Sequence, residues 1–161
     1  MKHTLVISAA LLLAFPTACS AQVEPNAVEG DEIVEVLDND PQMDAAMDEA
    51  QRTLPRFLAI LADPPPGSEN FVFKYPLEGW EHIWVDITSR DGDYLVGTLG
   101  NNPHAPGHAI GEEVRVPLSD VSDWGYVNKD GVAQGYFTLK VMFDHMPPEQ
   151  VAQIKRDYGW E

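Results

Sequence analysis

The sequence predicts an α+β domain, an antiparallel β-meander packed with an N-terminal and a C-terminal helix. Three observations carry this. Apolar residues recur every three or four positions from Met43 to Leu61, and after Pro64-Pro65-Pro66 the period changes to two. The pairs Asp91-Gly92 and Asp130-Gly131 mark hairpin turns. Pro148 then opens a last segment with Val151, Ile154 and Tyr158 on one side.

The elements follow in order. Asp40 is an N-cap and Pro41 suits the first helical position, so a helix starts there. Met43, Met47, Ala50, Leu54, Phe57, Leu58 and Leu61 form its apolar stripe. Asp44, Asp48 and Glu49 sit near the positive end of its dipole. Pro55 lacks an amide hydrogen, which predicts a kink near Gln51 or a break into two pieces. The prolines from 64 to 66 end the helix. Phe71, Phe73 and Tyr75 then alternate with Val72 and Lys74. In the next strand Trp80, His82, Trp84 and Asp86 share one face, and Glu81, Ile83, Val85 and Ile87 the other. Tyr94 to Leu99 returns, residues 101 to 111 form a loop, and Val114 and Val116 lie in a short strand. Ser119 to Asp123 reads as a capped turn, followed by a strand at Trp124 to Val127. Residues 136–146 fit either period. Thr138 as an N-cap and the Lys140–Asp144 spacing favour helix.

The 161 residues suit one domain, and 44% hydrophobic content is ordinary for a globular chain. The net charge of −16 excludes a basic face for nucleic acid or for anionic lipid. One cysteine excludes an internal disulfide and a Cys-based four-ligand zinc site. Residues 1–21 read as a signal peptide. Lys2 precedes the apolar stretch Leu5 to Phe15, which is too short to span a bilayer, and small residues lead to Ala21. Cleavage near Ala21 gives a periplasmic or secreted protein with no transmembrane span. The alternative is a membrane-anchored lipoprotein acylated at Cys19, because Pro16-Thr17-Ala18-Cys19 is similar to a lipoprotein box, although Pro16 departs from it. Either route uses the only cysteine, so a Cys-nucleophile enzyme is disfavoured. Residues 22–39 read as an acidic flexible linker, with a short apolar run at Ile33, Val34, Val36 and Leu37, and 40–161 as the single domain.

Chemistry is sparse. His104 and His108 have a metal-ligand spacing, but Pro106 and Gly107 forbid the helix that would align them, and a full ligand set is not visible. They are weak metal candidates, and no cofactor is implied. Asp91-Gly92-Asp93 has too few acids for a calcium loop. The binding candidates are Trp80, His82, Trp84 and Asp86, with Asp86 able to orient the imidazole. Asn101 and Asn102 could order the following loop or hold a polar ligand. Asp123 reads as a cap or a contact, and Trp124 as a core anchor. No catalytic residue is assigned.

The residues also resemble a known family. Glu81-His82-x-Trp84, Asp91-Gly92-Asp93, Gly97-x-Leu99-x-Asn101-x-Pro103, Gly111-x-x-Val114, Asp123-Trp124 and Asp130-Gly131-x-x-x-Gly135-x-Phe137-Thr138-x-Lys140 come in the order of the YegJ-like bacterial family. The resemblance covers roughly residues 45 to 158, with Lys140 where the family more often has Arg. It implies an α+β domain of unknown function with many exported members, and carries over no catalytic residues.

Three functions follow as expectations. The first is an exported, non-catalytic binding domain that takes another envelope protein or a small polar ligand through the Trp80/His82/Trp84 face or the 101–111 loop. The second is a hydrolase, metal-assisted or not, built from His82, His104, His108 and a carboxylate, which requires those side chains to converge. The third is an acidic immunity or inhibitor protein for a basic partner.

Overall fold

Helix α1, Pro41–Ala62, begins as its sequence dictates. Pro41 takes the first position, and the Asp40 carboxylate accepts the Gln42 amide at 2.8 Å. In this computed structural model, which describes residues 40–161, α1 runs unbroken through Pro55. Pro55 lies on the exposed face, so the hydrogen bond it forfeits is lost on the side open to water, while Leu54, Phe57 and Leu58 stay buried against the sheet. The expected break is therefore absent. The export signal, Cys19, the acidic linker and the apolar run at 33–37 lie outside the described residues.

Six strands form one antiparallel sheet: β1 (Glu69–Leu77), β2 (Glu81–Asp91), β3 (Tyr94–Leu99), β4 (Glu113–Pro117), β5 (Asp123–Val127) and β6 (Ala133–Gly135). Their order is β4-β3-β2-β1-β5-β6. The first four are a meander. β5 departs from it, because the chain leaves the β4 edge through a 3-10 turn at Leu118–Asp120 and pairs on the free side of β1. Gln51 of α1 guides this crossing by donating its side-chain amide to the carbonyls of Leu118 (3.0 Å) and Val121.

The register sets two faces. Phe73 opposes Val85 and Trp124, and Val85 opposes Leu99, which makes one apolar layer under α1. Phe57 stacks on Trp124 at 4.9 Å, and the Trp124 indole donates to the Ala50 carbonyl at 3.1 Å. Trp124 is thus the core anchor its sequence context predicts. The opposite face carries Lys74 across from Trp84 and Asp123. The rings of Tyr136, Tyr158 and Trp160 cover part of it, from the C-terminal segment that also holds helices α2 (Phe137–Met142), which packs against α1, and α3 (Pro148–Asp157). Tyr136 lies flat over Gly125, where an added Cβ would come within 2.3 Å of the ring.

Residues 137–142 are helical, and the cap differs from the expected one. Tyr136 turns the chain with φ of 53°, and the anion at the helix start is Asp123 from β5 instead of a Thr138 N-cap. Lys140 does not meet Asp144. It donates to the Gly135 carbonyl at 2.8 Å and lies over the Trp160 ring.

Candidate functional site

One end of the sheet is built from the β1–β2 turn and the loop between β3 and β4. Trp80 stands in that turn, outside β2, and keeps 56% of its surface open. Ile110 in the loop keeps 55%. These are the exposed large apolar side chains among the described residues. The two segments are tied together. The Glu81 carboxylate accepts the backbone amides of His104 at 2.9 Å and Ala105 at 2.8 Å. Ala105 is itself buried, which seats the loop in the core. His108 bridges the segments, with Nε2 3.1 Å from Glu78 and Nδ1 3.0 Å from Glu112. Hydrogen bonds to Glu112 and Glu78 raise the His108 pKa, because the protonated ring donates to both. Glu112 is held low by the same contact. No Lys or Arg occurs from 75 to 89 or from 91 to 114, so this end is acidic, with histidine as its only titrating base.

The predicted Trp80/His82/Trp84/Asp86 face is divided. His82, Trp84 and Asp86 share the side opposite α1, and Trp80 is in the turn. Trp84 is half-buried between the Tyr136 ring at 5.1 Å and the Lys74 ammonium at 5.4 Å. The partner of His82 is Ser122, whose Oγ lies 2.8 Å from Nδ1; Asp86 does not orient the ring. Burial first, and then the nearby Lys74 charge, hold the His82 pKa low, so the ring is neutral near pH 7. His82 and Ser122 line an open groove of about 340 Å³ beside Gln51 and Pro76. A base and a hydroxyl are present there, but among the described residues no carboxylate hydrogen-bonds the ring, as a triad requires. The His104 backbone amide is held by Glu81 and the His108 ring by Glu78 and Glu112, and neither residue lines the groove of this pair. Among the described residues no group of three or more His, Cys, Asp or Glu could hold a metal. Asn102 is exposed in the loop and Asn101 is half-buried beside it.

In the most enclosed polar cluster the sequence pointed to Asp123 and not to its partner Lys74. Asp123 is fully buried and accepts four hydrogen bonds, from the amides of Trp124, Phe137 and Thr138 and from the Thr138 hydroxyl. Thr138 also lies 3.4 Å from the Lys74 ammonium. The hydroxyl thus links a buried cation to a buried anion. Burial pushes Asp123 up and Lys74 down. The four hydrogen bonds oppose the first shift and the Asp123 charge opposes the second. Lys74 alternates with Phe73 and Tyr75, which reads as outward-facing in a one-layer sheet. The available signal was its place in a strand flanked by neighbours on both sides, whose second face a C-terminal aromatic segment could cover.

Among the described residues no helix is long and apolar enough to cross a membrane. The family model for DUF2314, described as an uncharacterized protein conserved in bacteria, matches residues 40–161. A protein of Neisseria meningitidis serogroup B, provisionally named as an ankyrin repeat protein, is 37% identical over 81 residues, which are 50% of this chain and 31% of that protein. The chain thus spans about a third of the length of that relative. Escherichia coli YegJ, an uncharacterized protein, is 26% identical over 149 residues, which are 89% of this chain and 91% of YegJ. No solved structure matches the chain.

Proposed function

The chain belongs to the DUF2314 family of bacterial proteins, and from that premise we propose that its domain is an exported, non-catalytic binding module that contacts a basic protein through the Trp80–Ile110 end of the sheet. One observation carries the reading: the two large apolar side chains exposed among the described residues stand on segments that Glu81 and His108 hold together. Apolar surface on a pre-ordered support loses little conformational entropy on binding, and Trp is a frequent energetic centre of interfaces. The acids around it, Glu78, Glu112 and Glu113, steer a cationic partner. This joins the binding-domain expectation to the acidic-inhibitor one. The Neisseria relative, with its ankyrin-repeat name, suits a protein-binding setting, since such repeats present extended binding surfaces. A hydrolase is less favoured, because the His82–Ser122 pair lacks a third group.

Export is part of the proposal and rests on Lys2, the stretch Leu5–Phe15 and the small residues up to Ala21. Intact mass of protein from the native envelope tests it: a chain starting at Gln22, or one acylated on Cys19, supports export, and an unprocessed Met1 chain refutes it. The binding surface is tested by a photo-crosslinking residue placed at 80, at 110 and, as a control, at Lys129. One defined adduct from both 80 and 110, absent from 129, is the expected result. No adduct, or the same pattern from all three, refutes the surface.

A further inference from the structure

The Trp80–Ile110 end contains its own titrating joint. His108 lies between two carboxylates from different segments. Glu78 of the β1–β2 turn is 3.1 Å from Nε2, and Glu112 of the β3–β4 loop is 3.0 Å from Nδ1. Only the protonated ring has two N–H groups and donates to both. The neutral ring donates to one carboxylate and turns a lone pair toward the other. The Glu81 tie to the amides of His104 and Ala105 needs no imidazole proton, so it holds the first part of the loop in either state. Glu78 itself sits at φ 51°, in the left-handed region that favours Gly and Asn. Strain of this kind gathers at switch segments, and here it brings a carboxylate to the ring.

We propose that His108 is a pH latch on the binding surface: its protonated ring holds the Trp80 turn and the Ile110 loop in one arrangement, and loss of the proton releases them and weakens binding. The proposal rests on the reading of that end as the contact surface, and adds its regulation. The surrounding groups act in its favour. Hydrogen bonds to Glu112 and then Glu78 raise the ring's pKa, with burial in opposition, so the latch is closed below that raised value and opens as pH rises through it. Tyr75 of β1 lies within the field of Glu112, Glu78 and Glu81, and its phenol, raised chiefly by burial, stays neutral while the histidine titrates. Glu81 of β2 is engaged by the loop amides. His104 and Glu113 flank the loop, and no Lys or Arg occurs in these segments to replace the imidazolium. Protonating either carboxylate also opens the latch, so the closed state occupies a pH window whose alkaline limit is set by His108.

The test uses the full chain. Backbone 15N relaxation reads the latch with no partner present. Order parameters at 107–112 should fall from about 0.85 toward about 0.6 as the His108 ring titrates between about pH 5.5 and about pH 9, with 104 and 105 unchanged. His108→Gln should remove the step. His108→Lys, cationic across the range, should keep the loop ordered throughout. A photo-crosslinking residue at 80, exposed to native envelope extract, then reads the surface. Adduct yield should fall about fivefold or more over the same range in the wild type and stay level in His108→Lys. A loop equally ordered at both ends of the range, a step retained in His108→Gln, or a loosened loop with undiminished adduct overturns the latch and leaves the surface standing. No adduct at any pH removes the surface, and the latch's role in binding falls with it.

Discussion

Lys74 and Asp123 are charges that the fold takes out of water, and their dependence on each other is a residue-scale prediction. Asp123→Ala removes four hydrogen bonds and leaves Lys74 buried without its counter-charge. It should cost about 3–5 kcal/mol in urea unfolding, and a loss below about 1 kcal/mol would contradict the account. The histidines give opposite pH signatures. The folded pKa of His108 is raised, so its contribution is full below the unfolded imidazole value of about 6.5 and is lost as pH rises through the higher folded value. The folded pKa of His82 is lowered, so its contribution holds above about 6.5 and is lost as pH falls toward the lower folded value. NMR titration of the ring protons should place His108 above His82; the reverse order contradicts both assignments. At this scale the sequence was partly legible. Asp123 reads as a local cap, but the helix it caps, α2, starts fourteen residues further on, which no local signal shows. Lys74 could not be foreseen, because its burial comes from residues more than sixty positions away.

Element α1 shows where a local rule yields to context. Pro55 predicted a break, yet its exposed position lets the helix continue with one hydrogen bond fewer. Pro55→Ala should therefore raise stability by about 1–2 kcal/mol, the helix gain exceeding the entropy returned to the unfolded chain. A lower unfolding midpoint would show that the proline serves the fold. The loop between β3 and β4 depends on Glu81. Replacing it by Gln weakens two charge-assisted bonds, and amide exchange at His104 and Ala105 should speed up about tenfold or more, with β1 and β5 amides unchanged. Exchange that rises uniformly would mean Glu81 acts on the whole domain. Helices α1 and α3 and the β2–β3 hairpin were readable because their caps, stripes and turn residues are local. The cap of α2 was not, since it is donated by β5.

For the whole molecule, local signals predicted the α+β class and the first four strands as a meander, but not the placement of β5 beside β1. That placement depends on Gln51 and on the apolar layer shared by Phe57, Phe73 and Trp124. The sheet edges are protected in two ways. The β6 edge is met by the C-terminus, where Ala133 donates to the Tyr158 carbonyl at 2.9 Å. The β4 strand carries Glu113, Arg115 and Pro117, which discourage further strand pairing. Residues 40–161 hold 20 acidic and 9 basic residues, a net −11, so the domain itself carries most of the chain's charge. Complexes of a basic partner with this domain should weaken steadily with added salt, chiefly through slower association. Affinity indifferent to salt would remove charge from the account.

The most direct measurement compares the wild-type chain with the double variant Trp80→Ser, Ile110→Ser, using the partner captured by crosslinking at those positions. Both side chains are exposed, so the free energy of unfolding should stay within about 0.5 kcal/mol of wild type. The affinity should fall about thirtyfold or more, as expected when two central apolar contacts are lost. Unchanged affinity with unchanged stability would show that the Trp80–Ile110 end is not the binding surface.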